Sequence, residues 1–469
     1  MKTVFGIICL LLSVTCAAQT VAVKLSAAMQ KLEADEQFTH AIISLYVVDS
    51  KTGKAVYAKN SQVGLAPASC QKVITSVSAF ELLGKNYRYK TFIGKDPSVT
   101  GTARDAGCLF LVGNNDPTLG SDRWQLTSDS TVFKRVLATI QKNKISHFTD
   151  DLVMEDYTNV SDVLPGGWVW EDIGNYYGAG CYTINWRENK FEIQFQPGKI
   201  NTQADIQTVI PFLYDVNFVN NVTRAKAGSG DNTIIYSTPF STIISMSGTI
   251  PSQEKPFSVY GSMPNPAKVF GTELLNYLTK NKVSFGGSAY SSQERSIANM
   301  PRHKCMVYLD SILSPPVDSI NYWFLKKSIN LYGEAFVKTI AYEKTRVGST
   351  DTGIAVIKNF WKERGIETAS LHMIDGSGLS PANRVTTQSL VAVLQYAKNK
   401  SWFPSFYNAL PEMNNIKMKD GYISGVRSFT GYVKSKTGEE YSFSFIVNNF
   451  DGSAGSVREK MWKVLDILK

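Results

Sequence analysis

The sequence predicts an α+β protein in which one antiparallel sheet, flanked by helices, is interrupted by an inserted β-rich region. Two observations support this fold class. A helical pattern and two alternating runs open the chain after residue 20, and two alternating runs followed by a helical pattern close it. Between about residues 96 and 265, short alternating runs are separated by Gly, Asn and Asp, which is typical of strands and turns. Strands from the two ends can therefore pair in one sheet, with the middle third as an insertion.

The individual elements of the two ends follow from their periodicities. Val23, Ala27, Met29 and Leu32 recur near helical spacing and predict a first helix. The segments after it predict strands at 42–48 and 55–58, a helix at 69–83, helices at 267–280, 317–326, 331–342 and 387–398, strands at 429–433 and 441–447, and a last helix through 457–468.

The composition of the 469 residues is that of a globular protein, with 43% apolar and 19% charged residues. It excludes a disordered or fibrous chain. The net charge of +9 is modest for this length. A dedicated nucleic-acid binder clusters its positive charge, so we expect no nucleic-acid partner. The basic surplus would suit work near an acidic polymer such as a bacterial wall, but it is equally compatible with an ordinary surface.

The first eighteen residues predict a secretory signal peptide. One Lys precedes an apolar run from Val4 to Val14, and small residues lead to a cleavage site after Ala18. The run is too short for a permanent anchor, and no later stretch approaches 18 apolar residues. We therefore expect a chain that is secreted across the inner membrane to the periplasm or another extracytoplasmic space, with no transmembrane segment after cleavage.

The cysteines and histidines exclude several classes of site. Cys70, Cys108, Cys181 and Cys305 remain after cleavage, far apart and without C-x-x-C, and whether any pair is bridged is left open. The four His residues occur in no H-E-x-x-H, so we expect no metal site. The chain has neither the G-x-S-x-G elbow of α/β-hydrolases nor a P-loop. We expect no metal or organic cofactor.

The remaining chemistry is that of a Ser-Lys pair. Ser69 opens an apolar helical pattern and Lys72 follows three residues later, on the same helix face. A Lys among apolar neighbours tends to lose its proton and can then accept the Ser proton. A structural interpretation, with Ser69 as a helix-capping residue and Lys72 on the surface, is equally compatible with this pattern alone. A second match at 252–255 lies in a polar loop, and we interpret it as accidental.

Several stretches, in order, resemble one family. Residues 66–72 look like the nucleophile motif of penicillin-binding proteins. Other segments resemble the class C low-molecular-mass branch, the D-alanyl-D-alanine carboxypeptidase/endopeptidase family; they lie at 113–119, 168–179, 247–251, 264–267 and 375–380. The resemblance implies a serine DD-peptidase/β-lactamase-like transpeptidase domain, with a helical subdomain, formed by residues 19–95 and 266–469. Residues 96–265 would be the inserted β-rich region.

The second motif of that family is S-x-N, and the chain contains it twice. Ser328 and Asn330 are followed by a segment similar to the family's L-x-A-E, whereas Ser319 and Asn321 lack these flanks and follow two prolines. We therefore choose Ser328 and Asn330, and interpret Ser319 as part of a helix start. The resemblance implies that Ser328 relays a proton to the leaving amine and that Asn330 holds the substrate backbone.

The third motif, K-[TS]-G, is expected on an edge strand beside the nucleophile. Two literal copies, at 51–53 and 436–438, fall between predicted strands and are interpreted as turns. Counting back from a segment at 425–432 that resembles the family's G-V-x-x-x-x-G-Y places the motif at Lys419-Asp420-Gly421. The motif is thus a variant, with Asp420 in place of Thr or Ser; an ordinary K-D-G turn is the alternative.

The resemblance implies a secreted serine DD-peptidase that acts on peptidoglycan stem peptides. Ser69 would be acylated, with Lys72 as its base and Ser328 as the proton relay. The N–H groups of Ser69 and Tyr422 would form the oxyanion hole, and Lys419 would hold the substrate. β-Lactam antibiotics would be covalent inhibitors.

Two rival functions remain open at this point. An amidase or esterase with altered carboxylate recognition is favoured by Asp420. A wall-binding protein with a degenerate site is the other, and the intact Ser69, Lys72, Ser328 and Asn330 argue against it. Two further residues are expected to be structural: Cys70 as a packed thiol and Ser377 as a turn residue.

Overall fold

The computed structural model describes residues 21–96, 104–156, 160–300 and 304–469, and the predicted signal peptide lies outside these ranges. The strands are β1 (Ile42–Asp49), β2 (Ala55–Lys59), β3 (Lys90–Lys95), β4 (Asp105–Ala106), β5 (Leu109–Val112), β6 (His147–Phe148), β7 (Leu152–Glu155), β8 (Lys190–Phe195), β9 (Ile206–Ile210), β10 (Asn217–Ala225), β11 (Asn232–Tyr236), β12 (Ile243–Pro251), β13 (Phe257–Ser262), β14 (Ser284–Phe285), β15 (Ala289–Ser291), β16 (Val307–Leu313), β17 (Leu371–His372), β18 (Arg384–Val385), β19 (Glu412–Met413), β20 (Ile416–Ile423), β21 (Val426–Lys434) and β22 (Glu440–Asn448). The helices are α1 (21–33), α2 (Lys72–Leu82), α3 (Asp129–Lys142), α4 (Val160–Val163), α5 (Trp170–Ile173), α6 (Pro266–Lys280), α7 (Ser292–Ile297), α8 (Val317–Lys326), α9 (Asn330–Thr345), α10 (Thr350–Lys362), α11 (Thr387–Lys398), α12 (Phe403–Ala409) and α13 (Ala454–Leu465). None of the helices in the described ranges is long and apolar enough to cross a membrane.

The chain divides into two compact units. Of the described residues, the first unit comprises 21–85, Ile320–Ile329 and Asp351–Lys469, and the second comprises those between Asn86 and Ser319 together with Asn330–Thr350. The second unit covers the predicted insertion, 96–265, and extends on both sides of it. The reason is that β3 and β16, which flank the insertion, pair with each other in one sheet of this unit.

The first unit contains a six-stranded antiparallel sheet in the order β19-β20-β21-β22-β1-β2. The first strand of the chain pairs along its whole length with the last, from Ile42 opposite Asn448 to Asp49 opposite Tyr441. The α+β prediction, in which the two ends of the chain share a sheet, is therefore confirmed.

The two faces of this sheet are covered by helices. Apolar side chains from alternate positions, such as Leu45 and Phe443, pack against Met29 of α1 and Met461 of α13. On the other face lie α11 and α2, and buried hydroxyl groups are paired there; Ser44 Oγ lies 2.7 Å from Thr387 Oγ1. Pairing of this kind removes the cost of burying a polar group.

The described residues of the second unit form four sheets around their own core. Their strand orders are β15-β7-β5-β3-β16, β14-β6-β4, β13-β8-β9 and β10-β12-β11. Trp186 stacks on Phe270 of α6 at 4.0 Å, and Phe133 of α3 packs on the same ring pair. The sequence predicted mainly strands here, so α3 is an element that it missed.

Candidate active site

Ser69 lies on a short turn and not inside the long helix. Ala68–Gln71 form a 3₁₀ turn, and α2 begins directly after it at Lys72. Ala68 has a φ of +45°, in the left-handed region that disfavours residues with a Cβ. The sequence predicted one α-helix from 69 to 83; the structure corrects its start, because residues 69–71 belong to the 3₁₀ turn and the α-helix begins only at Lys72.

Lys72 is the immediate partner of Ser69. Its Nζ lies 2.9 Å from Ser69 Oγ and donates a second hydrogen bond, of 2.7 Å, to the carbonyl oxygen of Ser377. The side chain is fully buried, and Nζ lies 5.8 Å from the centre of the Phe324 ring. Ser69 itself is only partly buried. The structure thus brings together the predicted Ser-Lys pair, with the hydroxyl as its accessible member.

A tight loop around Asp375 places the Ser377 carbonyl beside Lys72. The buried carboxylate of Asp375 accepts hydrogen bonds from the Gly378 N–H at 2.7 Å and the Ser380 N–H at 2.6 Å. Gln71 Nε2 adds a bond of 3.0 Å from the nucleophile turn. Ser377 was predicted to be a turn residue, and this is confirmed; its backbone carbonyl contributes to the site, which the sequence did not indicate.

Two further contacts hold the nucleophile turn in place and were also missed. Asn448, at the end of β22, accepts from the Ala66 N–H at 2.9 Å and donates to the Ala66 carbonyl at 3.0 Å. Ser428 of β21 donates to the carbonyl of Pro67 at 2.5 Å. The signal in the sequence is weak, since these bonds are made to backbone atoms that carry no side-chain signature.

Strand β20 brings Lys419-Asp420-Gly421 against the nucleophile turn. A Cβ placed on Gly421 would lie 2.7 Å from the Pro67 oxygen and 2.9 Å from the Ser69 nitrogen. Beyond Lys417, none of the described pairings joins β20 to a strand on the side away from β21, so this stretch forms a sheet edge. Such an edge can pair with an extended peptide. The two literal K-T-G copies lie between strands β1 and β2 and between β21 and β22, as predicted.

Cys70 lies behind this strand as a packed thiol, as predicted. Its Sγ contacts the Lys419 carbonyl at 3.2 Å, and burial raises its pKa to about 11. Among the described residues, Cys108, Cys181 and Cys305 are free thiols as well.

Asp420 and Lys419 form an ion pair on β20, in the two positions before Gly421. Lys419 is almost fully buried, and its Nζ donates to Asp420 Oδ1 at 2.9 Å and to the Asp420 carbonyl at 2.7 Å. Arg427 Nη2 lies 3.8 Å from Asp420 Oδ2. Burial alone would raise the pKa of Asp420, but the charge and hydrogen bond of Lys419, with Arg427, outweigh it and hold that pKa below its usual value.

The S-x-N segment joins α8 to α9, and Asn330 is the first residue of α9. Ser328 has a φ of +56° and belongs to the first unit, one turn beyond the Phe324 ring that faces Lys72. Asn330 belongs to the second unit, where its Nδ2 donates to the Tyr177 carbonyl at 2.8 Å. Ser319 lies in the first turn of α8, as its interpretation as a helix start required. The roles of Ser328 and Asn330 stay predictions.

Tyr422 is the exposed end of the candidate substrate strand. It follows Gly421 on β20 and pairs with Arg427 of β21, whose guanidinium carbon lies 5.9 Å from the tyrosine ring centre. More than half of the Tyr422 surface is exposed. Its predicted part in an oxyanion hole, through its N–H group, stays a prediction.

Comparisons with known proteins agree on one family. Residues 25–413 match the model of the D-Ala-D-Ala carboxypeptidase 3 (S13) family. The chain is 26% identical, over 90% of its length and 80% of the relative's, to a D-alanyl-D-alanine carboxypeptidase of Actinomadura sp. (strain R39). It is 23% identical, over 86% and 84%, to the D-alanyl-D-alanine carboxypeptidase DacB of Haemophilus influenzae. The crystal structure of penicillin binding protein 4 (dacB) from H. influenzae superposes with a TM-score of 0.77 at 19% identity, covering 95% of this chain and 99% of that one.

Proposed function

The chain belongs to the D-Ala-D-Ala carboxypeptidase 3 (S13) family, and from that premise we propose that it hydrolyses D-alanyl peptide bonds of peptidoglycan stem peptides through an acyl-enzyme at Ser69. The observation that carries the proposal is the 2.9 Å contact between Lys72 Nζ and Ser69 Oγ. A nucleophile and its base must lie within hydrogen-bond reach of each other. Here Ser69 lies on a short turn beside a sheet edge, and Lys72 is the first residue of the helix that follows.

The proposed reaction uses this chain's own groups. Lys72 accepts the Ser69 hydroxyl proton while Oγ attacks the D-alanyl carbonyl carbon, and the N–H groups of Ser69 and Tyr422 stabilise the oxyanion. Ser328 passes the proton to the leaving amine as the peptide bond breaks. A water molecule then attacks the ester, and the acid product leaves with Ser69 restored. Lys72 is fully buried, and its Nζ lies within hydrogen-bond reach of Ser69 Oγ, as a base for that hydroxyl requires.

The partners and the compartment are part of the same proposal. Stem peptides would pair with the edge of β20, with Asn330 and Lys419 as binding groups. β-Lactams would acylate Ser69; the H. influenzae penicillin binding protein 4 has been crystallised in complex with a novel β-lactam. The predicted signal at residues 1–18 supports an extracytoplasmic site of action.

The test is the intact-protein mass after incubation with benzylpenicillin. We expect one covalent adduct, mapped by peptide digestion to Ser69, and its loss in Ser69→Ala. Ser252→Ala serves as the matched control, since Ser252 belongs to the other S-x-x-K match and lies in the second unit. An adduct that persists in Ser69→Ala contradicts the assignment. A wild-type protein that reacts with no β-lactam and cleaves no D-alanyl peptide would favour the wall-binding alternative.

A second candidate is favoured by one observation. Lys419, the expected carboxylate-binding group, is already paired with Asp420. An amidase or esterase acting on D-alanyl substrates without a terminal carboxylate would need no such group. Turnover of a D-alanyl ester or amide, with none of the free acid, would distinguish this candidate from the carboxypeptidase.

A further inference from the structure

A negative charge is built into the strand that lies against Ser69. Asp420 precedes Gly421, the residue whose Cα approaches the Ser69 turn, and about a third of its side chain is exposed. Its backbone therefore adjoins the residue that contacts the nucleophile turn, and its carboxylate is accessible from solvent. The charge of Asp420 can therefore interact with the charge of a peptide bound along β20.

The ion pair also engages the nearest cation. The Lys419 side chain is 1% exposed, and its Nζ donates two hydrogen bonds to Asp420, one to the carboxylate and one to the backbone carbonyl. Arg427 approaches the other carboxylate oxygen only at 3.8 Å. A substrate carboxylate would have to compete with Asp420 for the Lys419 ammonium, and would meet a like charge as it did so.

We propose that Asp420 is a specificity-determining residue that selects against leaving groups carrying a free α-carboxylate. The favoured substrates are D-alanyl peptides whose leaving amine bears an amide, an ester or no carboxyl group. The inference rests on the proposed acyl transfer at Ser69 and adds a substrate class to it.

Coulomb's law sets the size of the effect. Two unit negative charges about 4 Å apart, at an effective dielectric near 20, disfavour each other by roughly a thousandfold in rate or affinity. Lys419, Arg427 and the exposure of Asp420 reduce this figure, since partly exposed charges are screened by water and salt. We therefore expect about tenfold discrimination from Asp420, decreasing as ionic strength increases.

The experiment compares two peptides that differ only at the C-terminus, diacetyl-L-Lys-D-Ala-D-Ala and its C-terminal amide. In Asp420→Asn, and again in Asp420→Thr, the ratio of kcat/KM on the acid to kcat/KM on the amide should rise about tenfold over wild type. The matched control is Glu440→Gln. Glu440 is also ion-paired, with Lys398 at 3.0 Å, and belongs to the same sheet. Glu440 lies on β22 and pairs with Lys434, five residues along β21 from Phe429, the partner of Asp420. That offset is roughly 17 Å along the strands and beyond the screening length, so its ratio should not change.

The outcomes separate this inference from the proposed function. If both Asp420 variants leave the ratio unchanged, or if Glu440→Gln raises it equally, Asp420 does not set the specificity. If the wild type turns over neither peptide, the proposed function fails. The role of Asp420 is then tested by measuring the affinity for the two peptides. The Kd of each peptide is then compared between Ser69→Ala and Ser69→Ala/Asp420→Asn, and a tenfold gain confined to the free acid supports it, whereas equal changes overturn it.

Discussion

Adding one methyl group to Gly421 should slow acylation about 10- to 100-fold while leaving most of the fold intact. In Gly421→Ala the new Cβ would overlap Ser428 Oγ and would lie 2.7 Å from the Pro67 oxygen and 2.9 Å from the Ser69 nitrogen. An ordinary contact starts at 3.4 Å, so these atoms must move by 3.4 − 2.7 = 0.7 Å and 3.4 − 2.9 = 0.5 Å. The Pro67 oxygen and the Ser69 nitrogen are backbone atoms, so no side-chain rotation can relieve these contacts. The nucleophile turn itself must shift.

The expected loss follows from that displacement. A misplacement of reacting groups approaching 1 Å costs roughly 100-fold in rate, so we expect a loss of about 10- to 100-fold in the second-order rate of acylation. Overpacking of this kind costs about 1–3 kcal/mol of stability. The assay is the acylation rate with a fluorescent penicillin, measured below the melting temperature of the variant, beside the thermal unfolding curve.

The control for this prediction is Gly64→Ala in the same unit. Its Cβ would make only one close contact, 3.4 Å from the Arg384 Cβ, so both the acylation rate and the melting temperature should stay near those of wild type. If Gly421→Ala acylates as fast as Gly64→Ala, then β20 does not press on the Ser69 turn, and the assignment of Lys419-Asp420-Gly421 to the substrate strand is wrong.

Two further predictions concern a charge and a buried acid. Lys419→Ala should slow acylation about 100-fold, because it removes a preorganised charge on the strand beside Ser69. Lys436→Ala and Lys51→Ala, both in turns between strands, should react like wild type. A defect in Lys436→Ala alone would contradict the strand register. Burial raises the pKa of Asp116 from 3.8 to about 6, so the folded state binds the proton more tightly and stability falls as the pH rises from about 4 through 6. Asp116→Asn keeps an acceptor for the Thr118 bonds but cannot ionise. Between pH 4 and pH 8 the unfolding free energy of wild type should therefore fall by up to about 3 kcal/mol more than that of the variant. Equal decreases in urea titrations of the two proteins would refute the argument.

Much of the fold could be predicted because its signals are local. The alternating runs that became β1 and β22 indicated a shared sheet, and the three-residue spacing of Ser69 and Lys72 indicated their contact. The Lys419-Asp420-Gly421 motif, which lies on β20, was found by counting back from the segment at 425–432. This requires only that the spacing between motif and segment be fixed. Each of these inferences depends on residues that are near one another in the sequence.

The features that the sequence did not predict depend on distant contacts. The left-handed conformation of Ala68 accompanies a close approach of Gly378 to its carbonyl, and the two residues are more than 300 positions apart. Val132, Val136 and Ile140 have helical spacing in α3, but the surrounding short strands masked the pattern. The Ser377 carbonyl is a backbone group that every residue has, so the residue type at this position does not indicate its contact with Lys72.

The nucleophile turn is confined by glycines from two segments that follow it by hundreds of residues. Gly421 approaches the Pro67 oxygen and the Ser69 nitrogen from β20, and Gly378 approaches the Ala68 carbonyl from the Asp375 loop. Only residues without a Cβ allow backbone to come this close. Because Lys72 bonds both to Ser69 and to that same loop, the orientation of the base and the shape of the turn are set together. The Ser-Lys pair is therefore a local motif in the sequence, but its geometry is fixed by the C-terminal half of the first unit.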